Sequence, residues 1–372
     1  VKVAVLGPLY PYRGGIAHYN ARLCRALVDE GHDVCAINLT RQYPAALFPG
    51  TTQEDASKSA FEFPAERLLD SLDPLSWART LRHIRRCAPD VLVVQWWHPY
   101  FAASFGAVAY GARAMGIRVV FVAHNVLPHE SSPADRLLAK FAYRAASRFV
   151  VHARAEEARV RALVRRAEVA VNPHPVYDHF DTDAAPSQKE ARAALSVSAA
   201  RVLLFFGLIR PYKGLDVLLD AMPAIVERTG ATLLIAGECY EGLEEYERQI
   251  DRLGIGAHVR LDARYVANEE VPTLMAAADA VVLPYRHATQ SGVVQVAYGC
   301  GRPVITSAVG GIPEVVWEGE TGLLVPPEDP AALADAVTRF YEEDLAEAMQ
   351  AGIARHIEEL GWPGMVRAIL GE

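Results

Sequence analysis

Short apolar runs alternate with amphipathic stretches along the whole chain. The first run, VKVAVLG at 1–7, leads into a segment whose Ile16, Tyr19, Leu23 and Leu27 share one helical face. Strand-like runs recur at 33–39, 91–95, 117–123, 148–152 and 168–172, with helical spacing between them. A second series opens at 201 with RVLLFFG and continues at 231–236, 258–262, 279–283, 303–306 and 322–325. Leu215, Leu218, Leu219 and Met222 recur at i, i+3, i+4 and i+7, as do Leu333, Ala336, Val337 and Phe340. Strands that are apolar throughout, alternating with such helices, predict parallel sheets covered on both faces. The expected fold is α/β, with two doubly wound, Rossmann-like domains facing across a cleft.

The stretch NPHPVYDHFDTDAAPSQKEA at 172–191 is polar and rich in proline, and reads as a connection. The expected organisation is a first domain over 1–175, a linker over 176–200 and a second domain over 201–350. A C-terminal helical segment over 351–372 is expected to pack back on the first domain. Residues 91–112 carry no Asp, Glu, Lys or Arg and are long enough to span a bilayer. Gln95, His98 and Pro99 in their first half argue instead for a buried strand, a loop and a core helix.

Composition adds exclusions. A chain of 372 residues, 51% hydrophobic and 22% charged, is neither disordered nor a coiled coil. Its net charge of −8 disfavours a nucleic-acid partner. Five scattered cysteines (Cys24, Cys35, Cys87, Cys239, Cys300) without C-x-x-C spacing suggest neither a disulfide framework nor zinc, but a reducing compartment. The opening strand lacks the pattern of a signal peptide, so the expected location is cytoplasmic.

Ligands of doubly wound folds bind outside the carboxyl ends of the strands, so function is expected in the loops that follow them. The turn from Gly7 to Gly15 lacks G-x-G-x-x-G, which disfavours a dinucleotide-dependent dehydrogenase. Gly14 and Gly15 open a helix, either to offer N–H groups to a ligand or simply as a tight turn. His124 and Asn125 follow a strand directly, as ligand contacts or as ordinary loop residues. In FFGLIRPYKGLDVLL, Gly207 closes a strand, Arg210 and Lys213 occupy the loop, and a helix follows. Two cations beside a helix N-terminus suit a phosphate or diphosphate. Ser291 can cap a further helix, and Gly310-Gly311 permits close backbone approach.

These motifs together resemble the retaining glycosyltransferases of family 4. The likeness runs through GGI at 14–16, HN at 124–125, GLIRPYKG at 207–214, GRPVI at 301–305, GGIPEVV at 310–316 and EGETGLLVPPEDP at 318–330. It implies the two-Rossmann GT-B fold and sugar transfer from a UDP-, GDP- or ADP-linked donor. The acceptor would be a carbohydrate or lipid-linked hydroxyl, and the anomeric configuration would be retained. The resemblance assigns Arg210 and Lys213 to the departing diphosphate and His124 to the transferred sugar. Gly14 and Gly15 would line the donor pocket, with Asn125 and Gly207 in the matching donor motifs. The backbone around Gln290, Ser291 and Gly292 would take phosphate oxygens. No metal and no cofactor are implied, the nucleotide sugar being a substrate. The Asp181-Thr182-Asp183 triplet falls in the linker rather than after a strand, and is not expected to bind metal.

One departure stands out. The family's two glutamates, eight positions apart, align with Ala288 and Val296, and no Asp or Glu lies between Asp279 and Glu314. Donor hydroxyls would then be held by neutral groups among Thr289, Gln290, Ser291 and Gln295. A front-face retaining transfer still finds its electrostatic parts here, since the donor phosphate itself deprotonates the acceptor. The rival from another class is a catalytically silent nucleotide-sugar or carbohydrate-binding homologue. A nucleotide-sugar 2-epimerase would need acidic and basic groups around the sugar that these loops do not supply. Arg264, Tyr265 and Val266 are hints of a base pocket. Nine Lys or Arg over 136–166, against the three acids Asp135, Glu156 and Glu157, make either a solvated helical face or a peripheral contact with the inner membrane face.

Overall fold

Thirteen strands and thirteen α-helices alternate along the described chain. The computed structural model describes residues 1–372 other than 45, 47, 49–51, 59–60, 129–130, 181–184 and 241. It divides into two units: Val1–Asp55 with Ala60–Pro175 and Gly361–Glu372, and Ala56–Ser59 with Val176–Leu360.

The first unit begins β1 (Lys2–Leu6), α1 (Gly15–Asp29), β2 (Asp33–Arg41), β3 (Glu66–Asp70), α2 (Pro74–Cys87) and β4 (Val91–Trp96). It continues with α3 (Ala102–Ala114), β5 (Arg118–Ala123), α4 (Pro133–Tyr143), β6 (Arg148–Val151), α5 (Arg154–Leu163) and β7 (Val169–Val171). Its seven strands are parallel, in the order β3-β2-β1-β4-β5-β6-β7. β1, β4 and β5 are buried on both faces, which is why their sequences are nearly continuous Val, Leu and Ala. β3 escapes the pattern because it is an edge strand in which only Leu69 is buried.

The second unit holds α6 (Gln188–Ala194), β8 (Val202–Phe206), α7 (Leu215–Thr229), β9 (Thr232–Ala236), α8 (Leu243–Leu253) and β10 (Val259–Asp262). Then come α9 (Val271–Ala277), β11 (Ala280–Leu283), α10 (Gly292–Gly299), β12 (Val304–Ser307), β13 (Gly322–Val325), α11 (Pro330–Glu342) and α12 (Leu345–His356). Its six parallel strands run β10-β9-β8-β11-β12-β13. Two doubly wound Rossmann-like units are therefore the fold, as the periodicity predicts.

Residues 91–112 resolve into β4, a 3₁₀ turn at Pro99–Phe101 and α3. His98 belongs to that turn, accepting a hydrogen bond from the Tyr100 amide at 3.1 Å. No described helix is long and apolar enough to cross a membrane.

Three expectations need correction. The segment 176–200 is no free linker. Its α6 packs Ala191 on Ala276 and Ala277, and Arg192 and Gln188 donate to Asp279 at 2.8 and 3.0 Å. Asp181–Asp183 lies outside the described residues. Residues 351–372 do not act as one segment either, because α12 stays with the second unit. Only α13 (Trp362–Leu370) joins the first, its Trp362 ring 5.1 Å from Tyr19. Finally, Cys35 and Cys87 are joined as a disulfide. They are 52 residues apart in sequence, and only the packing of α2 on the sheet brings them together.

Candidate active site

In an open parallel sheet, the loops after two neighbouring strands part to opposite faces where the strand order reverses, leaving a crevice at their carboxyl ends. In the first unit the reversal lies between β1 and β4, and in the second between β8 and β11. The loops after β8 and β11 contain Gly207–Gly214 and Pro284–Ser291. The loop after β1 contains Gly14.

Lys213 lies in a 3₁₀ turn, Pro211–Lys213, and is 7% exposed. Its ammonium would sit 3.1 Å from a Cβ placed on Gly207, whose φ of +93° suits glycine. That same Cβ would lie 3.2 Å from Val293 in the first turn of α10, so the β8 turn and the α10 N-terminus adjoin. The ammonium also faces the Tyr285 ring at 5.8 Å, and the Arg210 guanidinium stands 4.6 Å from the Tyr240 ring. Among the described residues, neither cation pairs with a carboxylate. Burial, reinforced by the Arg210 charge, pulls the Lys213 ammonium down to about 8. By contrast, Arg286 in the same unit is held by Asp216 at 2.8 Å and Glu328 at 3.1 Å.

Ser291 caps α10, accepting from the Val294 amide at 3.3 Å and sharing a 2.9 Å hydrogen bond with Tyr285. The side-chain oxygens of Thr289, Gln290 and Gln295 are buried without a hydrogen-bond partner. Unsatisfied buried acceptors grouped at a helix start mark a place where ligand hydroxyls can donate. The Gly310-Gly311 loop closes over this segment, with the Gly311 amide donating to the Thr289 carbonyl at 3.0 Å. Gly292 lies 3.5 Å, measured from a built Cβ, from the Tyr177 ring. Val296 is 8% exposed and Ala288 is half-buried, so neither position offers charge to a ligand.

In the first unit, Gly14 caps α1, its carbonyl accepting from Ala17 and His18 at 3.0 and 3.2 Å. Gly15 opens that helix, and Asn125 is half-buried in the loop after β5. His124 is buried, its Nε2 hydrogen-bonded to Gln95 Oε1 at 2.7 Å. It is not alone. Tyr19 packs against His124, His152 and His174 with ring centroids 4.6, 5.4 and 5.2 Å away. Burial holds all three imidazoles uncharged: His124 well below the usual range, His152 at about 4 and His174 at about 3. For His124 and His174 the neighbouring histidines add to the effect.

Sequence reading singled out His124 and missed its companions. Yet His152 follows β6 and His174 follows β7, so the same strand-end rule would have found both. Arg264, a hint of a base pocket, is anchored by Glu270 at 2.6 Å and Asp262 at 3.1 Å. The basic stretch 136–166 is not one cationic face either. Arg148, Arg159 and Arg161 are paired with Glu168, Glu156 and Glu157, each at 2.8 Å.

The histidine cluster sets an expected acid response. Each folded pKa lies below the unfolded value near 6.5, so the unfolded chain binds more protons and stability falls as pH drops. The loss begins near pH 6.5 and reaches about 1.4 kcal/mol per pH unit for each histidine still uncharged in the fold. Glu156, raised by its burial, works in the opposite sense and offsets part of one histidine. Melting temperature followed from pH 7.5 to 4.5 should decline well before the carboxylate range, and less steeply in His152→Gln. A flat profile would disprove the neutral cluster.

Residues 200–343 match the family model described as glycosyl transferases group 1, and residues 14–175 match the glycosyl transferase 4-like domain. A D-inositol 3-phosphate glycosyltransferase 1 from Catenulispora acidiphila is 30% identical over 295 residues, covering 73% of this chain and 70% of its own. The D-inositol 3-phosphate glycosyltransferase of Jonesia denitrificans is 31% identical over 221 residues, 56% of this chain and 49% of its own. Among solved structures, Anabaena HepE in complex with UDP has a TM-score of 0.75 at 21% identity. That match covers 100% of this chain and 99% of HepE, a likeness of fold.

Proposed function

The chain belongs to the glycosyl transferases group 1 family, and we propose that the sugar it transfers comes from a nucleoside diphosphate donor. The carrying observation is the pair Arg210 and Lys213, a cation buried in the fold beside a second one, with no carboxylate among the described residues to neutralise either. A buried charge is costly unless it is paired, so this pair fits an anion supplied by a ligand. The α10 N-terminus beside it adds the N–H groups of its first turn and the positive end of a helix dipole. A diphosphate suits this arrangement, and HepE, similar in fold, was solved with UDP.

In this proposal the acceptor hydroxyl oxygen bonds to the anomeric carbon while the bond to the diphosphate breaks. The hydroxyl proton passes to the departing phosphate oxygen, on the same face, so the anomeric configuration is retained. Lys213, Arg210 and the α10 amides stabilise the charge that accumulates on the leaving group. They take the role a metal would otherwise fill, so transfer should survive a chelator. Thr289, Gln290 and Gln295 accept donor hydroxyls where the family carries carboxylates. His124, uncharged and with no hydrogen-bond partner at Nδ1 among the described residues, is the proposed contact for the transferred sugar, together with Gly14, Gly15 and Asn125.

The acceptor is proposed to be a carbohydrate or lipid-linked hydroxyl. Support for a membrane-surface acceptor comes from α4, where Leu137, Leu138 and Phe141 are exposed, the first by 70%. Lys140 and Arg144 share the outer face with Leu137 and Phe141 at helical spacing, an amphipathic arrangement suited to anionic lipid.

A thermal-shift screen across UDP-, GDP- and ADP-sugars, followed by a hydrolysis assay with chelator present, tests the proposal. One donor class should raise the melting temperature and be cleaved. No shift with any of the three, or binding without cleavage across a broad acceptor panel, would overturn it.

A further inference from the structure

The amino edge of the first sheet carries a second cluster of reactive side chains, which the transferase site does not use. β2 runs from Asp33 towards Arg41, so Cys35 lies near its start, opposite the carboxyl edge that carries Gly14 and His124. α2 ends at Cys87, with His83 one turn earlier on the same helical face. His83 Nε2 lies 3.3 Å from Cys35 Sγ and 3.3 Å from Cys87 Sγ. The three donor atoms fall within 4.8 Å of one another, and all three residues are half-buried.

We propose that Cys35, His83 and Cys87 form a binding site for one zinc-like divalent cation, open when the two cysteines are reduced and closed when they form the disulfide. Two sulfurs and an imidazole are the donors that borderline-soft cations prefer. With metal bonds of about 2.3 Å to sulfur and 2.0–2.1 Å to nitrogen in a tetrahedral arrangement, neighbouring donors stand about 3.5 Å apart. Both nitrogen–sulfur separations are within a few tenths of an ångström of that value. Two donors are fixed on one helical turn and the third near the start of a sheet strand, so the set is assembled by the fold rather than by the cation. The fourth position is left to water.

The two states interconvert with ordinary balance. A phosphine reductant gives two electrons to the sulfur–sulfur bond, which breaks. The phosphine takes the oxygen of one water, and that water's two protons complete the two thiols. Cation binding then displaces one proton from each thiol, while His83, protonated at Nδ1, offers the Nε2 lone pair. Oxidation by a disulfide of the glutathione class reverses the sequence: the two cysteine thiolates give up two electrons and the cation, the Cys35–Cys87 bond re-forms, and the two glutathione thiolates released take a proton each from water.

The test uses the full chain and Co2+ as the probe. Protein reduced by phosphine and freed of it under argon should bind one Co2+ per chain. The site should show the thiolate-to-cobalt charge-transfer band and the visible bands of a tetrahedral site. Added Zn2+ should bleach both and raise the melting temperature of reduced protein only. The oxidised protein should show neither band. Cys35→Ser and Cys87→Ser should each lose the charge-transfer band, and His83→Ala should weaken binding at least about tenfold while sugar transfer is unchanged. The proposal is overturned if reduced and oxidised wild type bind alike, a comparison that needs no variant. It is equally overturned if either serine variant keeps the full band, which would point to Cys239 or Cys300, or if His83→Ala binds as tightly as wild type.

Discussion

Lys213→Met is expected to make the protein more stable and nearly inactive. The ammonium sits at about 8 in the folded chain because burial, and then Arg210, disfavour its charge. An unfolded lysine titrates near 10.4, so between about 8 and 10.4 the unfolded chain binds the extra proton and stability rises with pH. Below about 8 the folded protein carries the whole penalty, on the order of 3 kcal/mol by the linkage relation. Methionine keeps the apolar stem and removes the charge, so the melting temperature should rise by a few degrees at neutral pH. Turnover should meanwhile fall by about two to three orders of magnitude, the usual loss for one positioned electrostatic donor. Arg210→Ala should lose turnover on a similar scale with little change in stability, because that side chain is less buried. Wild-type affinity for nucleoside diphosphate should also weaken above about pH 8, where binding must first restore the proton. Calorimetric melting and saturating-donor turnover on the two variants decide the matter. A destabilised Lys213→Met, or one that turns over normally, would remove Lys213 from the diphosphate site.

Gly310→Ala is expected to have the largest effect on folding of any single methyl added to the second unit. Gly310 has φ of +54°, and a Cβ there would be driven into the carbonyl oxygen of Ala288. Thr289's carbonyl lies only 3.3 Å from the same point, so the methyl has no rotamer by which to escape. Both obstacles are backbone, and they belong to the segment that leads into the α10 cap. The left-handed conformation alone costs about 1–2 kcal/mol, and forced displacement of a packed backbone adds about 1–3 kcal/mol. Gly301→Ala is the matched control. Its φ is +64°, yet nothing lies within 4 Å of the added methyl, so only the conformational penalty applies. Denaturant unfolding should show Gly310→Ala at least about 2 kcal/mol less stable than Gly301→Ala. Any Gly310→Ala protein that folds should bind donor poorly, because relief of the clash must move residues 288–290. Equal stability of the two variants would mean that the Gly310 loop does not brace the α10 start.

The placement of the second-unit half of the candidate site was largely legible, and the reason is topological. Gly207, Arg210 and Lys213 follow β8, and Thr289, Gln290 and Ser291 follow β11, so a strand-end rule finds them before any coordinates. What the rule could not supply is burial. Lys213 and Arg286 are both loop cations in the sequence, but one is enclosed with no counter-ion among the described residues and the other is held between Asp216 and Glu328. The pairing of Arg264 was hidden for the same reason, since Glu270 is six residues away and its bidentate grip is invisible in composition. Part of the basic stretch is neutralised in the same hidden way, because charge counts ignore the i+3 and i+4 pairing of Arg159 and Arg161 with Glu156 and Glu157.

By itself the sequence determined what depends on local spacing. Short runs that are apolar throughout, helices with an apolar stripe and the polar break near 172–191 set two doubly wound sheets, because strands buried on both faces admit few polar residues. The motifs after those strands set the family. Only the tertiary structure decided what depends on residues distant along the chain. It joined Cys35 to Cys87 across 52 residues and gathered His124, His152 and His174 around Tyr19. It also carried α13 back to the first unit and packed the supposed linker into the second. These are long-range contacts, whose formation is governed by which helix covers which strand. Periodicity records that a face is buried, but not against what, and charge, proton affinity and metal binding all depend on the answer.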